Sequence, residues 1–163
     1  MQTSLDLISD FVLLQQAVLA EAREIAGADG ATFVLRDSAN CFYVDEDAIA
    51  PLWKGQRFPM TACISGWAMM HGVPAVVPDI EIDERIPLDA YRPTFVRSLA
   101  MVPMRTPESD QPVGAIGSYW ASVRIIDEAT VRELQALADR AGVAVARIGL
   151  DAAPWAPSFR HEG

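Results

Sequence analysis

The chain has 163 residues, 51% of them hydrophobic and 21% charged, with a net charge of −9 and two cysteines. That length fits one domain able to bury roughly two-thirds of its unfolded surface, and the composition excludes wholesale disorder. The negative balance excludes a general nucleic-acid or anionic-membrane surface, because both need a basic face.

Cys41 and Cys63 are too few for a disulfide-stapled scaffold, and read first as small buried hydrophobes in a reducing cytosol. No apolar run approaches the roughly 20 residues of a membrane helix. No basic segment precedes the apolar residues of the N-terminus, so a signal peptide is not expected. The expectation is a soluble, cytoplasmic domain.

Thr3 to Ala26 predicts a helix, with Thr3 or Ser4 as cap, Asp6 in the first turn and Gly27 as stop. Leu5, Ile8, Val12, Leu19 and Ala22 keep a heptad-like spacing that Gln15 interrupts, and Phe11, Leu14, Val18 and Ile25 form a second stripe. A helix apolar on two sides needs two partners. One is this domain's own sheet; the other is a second helix or a second subunit.

Ala31 to Arg36 and Cys41 to Val44 are rich in β-formers, and their spacing predicts a hairpin. Asp45 to Phe58, with Pro51 and Gly55, reads as a surface loop. Thr61 to Gly72 predicts a short helix and Pro74 to Val77 a short strand. Asp79 to Pro103 then opens on charged residues around a proline, passes through aromatics and ends in an apolar run. That order suggests a lid over a cavity, running on into a central strand.

Ser98 to Met104 and Val113 to Ala121 are apolar on both faces, as central strands are. Gly114 and Gly117 within the second suggest a bulge or a close approach of backbone. Asp127 caps a last helix in which Val131, Leu134, Ala138, Ala141, Val145 and Ile148 alternate in steps of three and four. Residues 1–150 are expected to form a single domain, and 151–163, punctuated by proline, a flexible tail or truncated linker.

This order of elements, with Ile64-Ser65-Gly66-Trp67-Ala68, Pro74 to Ile80, Ser98 to Pro103, Val113 to Trp120 and Leu134 to Asp139, resembles a GAF domain. Arg85-Ile86-Pro87 through Tyr91-Arg92-Pro93-Thr94-Phe95-Val96 is similar to GAF domains beside PAS and histidine-kinase modules in bacterial signalling proteins. The resemblance implies an α+β, profilin-like fold with a central antiparallel sheet of five or six strands. Terminal helices would cover one face; loops and short helices on the other would enclose a ligand pocket or apolar cavity. It also implies a non-catalytic sensory role, a homodimer, a small-molecule ligand, and an output domain such as a histidine kinase.

The pocket candidates are Trp67, Asp79, Arg85, Tyr91, Arg92, Phe95, Met101 and Trp120. Aromatics with polar tips suit a flat ligand, but could equally fill the space themselves. Alternation puts Tyr119 and Trp120 on opposite faces, so only one can line the pocket. The acidic cluster Asp79, Asp83, Glu84 and Asp89 has no His or Cys partner and no EF-hand spacing, so no metal is expected. Its structural reading is turn caps, with Arg85 paired to one of them; the functional one makes Arg85 or Arg92 an anchor for an anionic group. The candidate dimer-helix positions are Ile8, Val12, Leu19, Val131, Leu134, Ala138, Ala141, Val145 and Ile148.

The Asn-Lys-Phe-Asp-Glu pattern of cyclic-nucleotide-binding relatives is missing, and neither cysteine nor histidine stands in the lid to hold a covalent bilin. Free methionine sulfoxide reductases are GAF enzymes that use cysteines near the pocket. Cys63, at a helix start where a thiol pKa falls, keeps that alternative open alongside a degenerate, purely dimerising module.

Overall fold

The computed structural model describes residues 5–149, and in it the first helix, α1 (Phe11–Ala26), is capped by Asp10. The Asp10 carboxylate accepts the Leu13 N–H at 2.9 Å, the bond an N-cap makes to an otherwise unpaired donor. The expected caps, Thr3 and Ser4, lie outside the described residues. Leu5–Leu7 form a separate 3₁₀ turn that buries Leu5. Gly27, at φ 58°, closes α1 and returns its N–H to the Arg23 carbonyl.

The hairpin is present but longer than expected. Strand β1 (Gly30–Asp37) pairs with β2 (Asn40–Ala48), and a bulge lies between Phe33 and Val34. Asp45–Ala48 therefore belong to a strand, not to a loop. Their polarity is overridden because β1 needs a partner along its whole length, and Phe33 to Gly30 find it there. The rest of the expected loop is also ordered by the core: Leu52 and Trp53 are buried, and Arg57 and Phe58 enter strand β3 (Arg57–Pro59).

Helix α2 (Ile64–His71) follows a 3₁₀ turn at Met60–Ala62, and β4 (Ala75–Val77) comes next. The lid folds as a 3₁₀ turn at Ile80–Ile82 and a single helical turn, α3 (Leu88–Tyr91). Strands β5 (Ser98–Met104) and β6 (Gly114–Trp120) are buried throughout, as central strands should be. Helix α4 (Glu128–Ile148) starts from Asp127, which accepts the Thr130 N–H at 2.8 Å.

The six strands form one antiparallel sheet in the order β3-β2-β1-β6-β5-β4. The α+β, GAF-like architecture expected from the sequence is the one observed, with six strands. Side chains alternate across the sheet. Phe33, Leu35, Val102, Ile116 and Trp120 meet α1 and α4; Val34, Leu99, Met101, Ala115 and Tyr119 meet α2 and the lid. Neither Gly114 nor Gly117 makes a bulge, since β6 pairs in unbroken register on both sides. Close approach explains them: a Cβ on Gly117 would lie 2.4 Å from the Tyr119 hydroxyl.

The second partner of α1 is α4. Leu14, Val18, Leu19 and Ala22 of α1 share one core with Leu134, Leu137, Ala138, Ala141 and Val145 of α4. Buried Glu21 takes an ion pair from Arg140, and Arg147 donates to the carbonyls of Leu5 and Ile8. Of the residues expected to meet a second subunit, Leu19, Leu134, Ala138, Ala141 and Val145 are thus occupied inside the domain, each no more than 2% exposed. Ile8, Val131 and Ile148 are half-buried, and Val12 is exposed. The heptad-like seam reflects helix–helix packing within one chain.

Candidate functional site

Polar side chains fix the lid locally. Asp79 caps its 3₁₀ turn by accepting the Glu81 N–H at 3.0 Å. Asp83 accepts the Arg85 N–H at 2.9 Å and grips the guanidinium at 2.7 and 3.0 Å, which holds the Asp83 carboxyl below the usual carboxylate range. Arg92 pairs with Glu81 at 3.2 Å in an exposed contact. Asp79 and Asp83 thus cap turns and Arg85 pairs with Asp83, as the structural reading of the cluster expects of them.

Beneath the lid, the interior is filled by side chains. Trp53 stands at the centre, with ring centroids 4.6 Å from Tyr91, 5.6 Å from Tyr43 and 5.5 Å from Tyr119. Its indole N–H donates to the Ala90 carbonyl at 3.0 Å. The loop that delivers it is pinned by Glu46, whose carboxylate accepts the N–H groups of Leu52, Trp53 and Lys54 at 2.8 to 2.9 Å. Two of the three tyrosine hydroxyls are engaged, Tyr119 with Thr32 at 2.8 Å and Tyr43 with Ser65 at 2.9 Å, while the buried Tyr91 hydroxyl meets no partner among the described residues. Burial raises all three tyrosines above their ordinary pKa, and at Tyr119 the bond to Thr32 opposes it only in part. The space left among Tyr43, Trp53, Phe58, Cys63 and Tyr91 is about 10 Å³, room for one water.

A larger opening lies at the surface. Met60, Thr61, Cys63, Trp67, Met70, Glu84, Arg85, Ile86 and Pro87 line a groove of about 320 Å³ between the start of α2 and the lid. Arg85 lies over the Trp67 ring at 4.4 Å, and His71 stacks on the same indole at 4.2 Å while its Nδ1 meets the Trp67 carbonyl at 2.9 Å. The guanidinium face and the indole edge are the recognition elements this groove presents.

Of the eight pocket candidates, Trp67 and Arg85 line the groove, while Tyr91 and Met101 lie buried in the lid-side core with Phe95 packed against it. Asp79 and Arg92 serve the lid and do not line the groove. Trp120 belongs to the opposite face: it packs in the α1–α4 core and donates to the Ala26 carbonyl at 3.2 Å. Alternation separates the pair as expected, and it is Tyr119, not the candidate Trp120, that faces the lid. Trp53, at the centre of the lid-side core, is not among the eight. Its signal was an apolar Leu-Trp pair inside a polar stretch, easily passed over beside Pro51 and Gly55.

Both cysteines are buried and free, and they meet. Cys41 of β2 and Cys63, the N-cap residue of α2, bring their sulfurs to 3.1 Å. The hydrogen bond with Cys41 draws the Cys63 thiol down to about 7 against the effect of burial, helped by the Ser65 hydroxyl and the N–H groups of Gly66 and Ser65. The same bond, reinforced by burial, pushes Cys41 far up. Of the two thiols, Cys63 is therefore the one that ionises first, and Cys41 keeps its proton.

A family model described as "GAF domain" matches residues 10–146. No curated protein matches the sequence. Among solved structures, free methionine-R-sulfoxide reductase from Neisseria meningitidis, in complex with its substrate, superposes with a TM-score of 0.75 at 21% identity, over 88% of this chain and 83% of that one. The GAF-B domain of DevS from Mycobacterium smegmatis gives 0.68 at 19% identity, over 93% and 98%. A domain of a putative two-component sensor histidine kinase protein from Sinorhizobium meliloti 1021 gives 0.68 at 13%, over 86% and 94%. At such identities the likeness is one of fold, and with the family match over most of its length, the chain belongs to the GAF domain family.

Proposed function

We propose that the chain is a non-catalytic regulatory GAF domain of a cytoplasmic bacterial signalling system, acting as a homodimer. It reads a small molecule at the Trp67–Arg85 groove and passes the change through α1 and α4 to an output domain such as a histidine kinase. One observation carries the reading. The lid runs directly into β5, whose Leu99 and Met101 face the lid side while Ala100, Val102 and Met104 face the terminal helices. A displacement of the lid thus acts on a strand that shares its core with α4. The enclosed space is too small for an organic ligand, so the groove is the place to look.

Native mass spectrometry of the purified chain tests this reading. The expected result is a dimer carrying a small molecule that Trp67→Ala or Arg85→Ala loses. A bare monomer across a wide concentration range overturns it. A bare dimer favours the degenerate module instead, in which the filled interior leaves only a dimerising role.

A second reading, a thiol-dependent reductase, is favoured by the Cys41–Cys63 contact and by the fold shared with the methionine-R-sulfoxide reductase. Free methionine sulfoxide offered with an external dithiol should then be reduced by the wild type and not by Cys63→Ser. No turnover by the wild type rules it out.

A further inference from the structure

Cys41 and Cys63 stand 22 positions apart in the chain, yet two anchored segments bring their sulfurs together. Cys41 sits inside the sheet, paired to Arg36 of β1 and to Phe58 of β3. Cys63 starts α2, whose first turn is pressed against the preceding turn so closely that a Cβ on Gly66 would lie 1.9 Å from the Met60 carbonyl oxygen. A disulfide needs roughly 2.0 Å between sulfurs, about one ångström less than the contact provides.

The two thiols are chemically unequal. Cys41 is wholly buried, while Cys63 retains 6% exposure and lines the groove beside Thr61, Trp67 and Pro87. Ser65 donates its hydroxyl hydrogen to the Cys63 sulfur at 3.4 Å, so the Tyr43 hydroxyl must be the donor in its own bond to Ser65. This chain of donors ends on Cys63 and favours it as the thiolate, while the Pro59 carbonyl oxygen, an acceptor at 3.4 Å, opposes it. The accessible sulfur is thus the nucleophilic one, and the protonated sulfur stands behind it. That is the arrangement of an attacking and a resolving cysteine.

We propose that Cys63 and Cys41 are a peroxide-reactive dithiol, oxidised through the groove by a small hydroperoxide to a reversible intramolecular disulfide. The Cys63 thiolate attacks one peroxide oxygen; an S–O bond forms and the O–O bond breaks. The departing oxygen takes up the proton that Cys63 had released and leaves as water or an alcohol. The Cys41 thiol then attacks the sulfenic sulfur of Cys63. An S–S bond forms, the S–O bond breaks, and the hydroxyl leaves as water with the Cys41 proton. Two thiols give up two electrons and two protons, and the hydroperoxide receives them. A small dithiol restores the pair by exchange and is itself oxidised to a disulfide.

This inference goes beyond the ligand reading and beyond the sulfoxide reading: an empty groove leaves it intact, and so does a lack of sulfoxide turnover. It gives the domain an input of its own, since the disulfide would tie β2 to the start of α2 under the lid.

Hydrogen peroxide is the probe. The full chain is treated with it, unfolded in iodoacetamide and weighed. The expected product is one species per chain that has lost the mass of two hydrogens and takes up no iodoacetamide. Its digest joins the peptides of Cys41 and Cys63, and dithiothreitol reverses it completely. In Cys41→Ser, Cys63 should stall as a sulfenic acid that dimedone captures; in Cys63→Ser, peroxide consumption should fall by about tenfold or more. The wild-type result decides the matter even if a variant fails to fold. Two intact thiols, a Cys63 carried on to the sulfinic acid, or a cross-link between chains would each overturn the proposal.

Discussion

Cys63 shows how a few neighbours determine the chemistry of one atom. Burial alone would raise its pKa, but the hydrogen bond it shares with Cys41, the Ser65 hydroxyl and the N–H groups of Ser65 and Gly66 outweigh it and leave the thiol at about 7. The thiolate is the nucleophile, so alkylation by iodoacetamide should fall about tenfold per unit as pH drops below 6 and level off above 8. Cys41→Ala removes the strongest of those bonds, and the midpoint should move to higher pH; a midpoint that stays near 7 contradicts the assignment. Glu46 offers a second case. Its carboxylate serves three backbone donors of the Trp53 loop, so Glu46→Ala should cost about 2 to 4 kcal/mol in urea unfolding. The sequence shows Glu46 as one more acid in a polar stretch. Only the fold brings it opposite those N–H groups.

Among the elements, β6 and the Trp53 loop decide whether the lid side holds a cavity. Trp53→Ala should destabilise by about 3 to 5 kcal/mol and open a space able to take a small aromatic. Added indole should then restore part of the lost Tm in the variant and none in the wild type. On β6, Gly117→Ala would place a methyl 2.4 Å from the Tyr119 hydroxyl and 2.8 Å from the Thr32 hydroxyl oxygen. Tyr119 must then shift and its bond to Thr32 break, a loss of about 1 to 3 kcal/mol. The sequence made β5 and β6 legible because doubly buried strands read as unbroken apolar runs. It left the end of β2 illegible because Asp45–Ala48 are held by ladder bonds to β1, which periodicity does not report.

For the whole molecule, the question is what the helix pair leaves outside. The α4 seam faces α1 and the sheet, so Leu137→Ala should unfold the domain by about 2 to 5 kcal/mol without acting on assembly directly. Among the described residues of α1 and α4, Val12, Leu13 and Val143 are the large apolar side chains left exposed for a partner. If the homodimer uses this layer, Leu13→Glu should give a monomer by light scattering with an unchanged Tm. A dimer that persists moves the interface elsewhere.

The layered architecture entered through the resemblance to GAF domains, while the sequence by itself determined the two central strands and the terminal helices. Each of these is written in local terms: apolar runs, three-and-four spacing, Asp127 and Gly27 at helix ends. The tertiary structure alone decided that Tyr119 and not Trp120 faces the lid, that Trp53 closes the interior, and that Cys41 meets Cys63. Those outcomes depend on which face of a strand turns inward and on contacts between residues far apart in the chain. Local pattern carries no record of either.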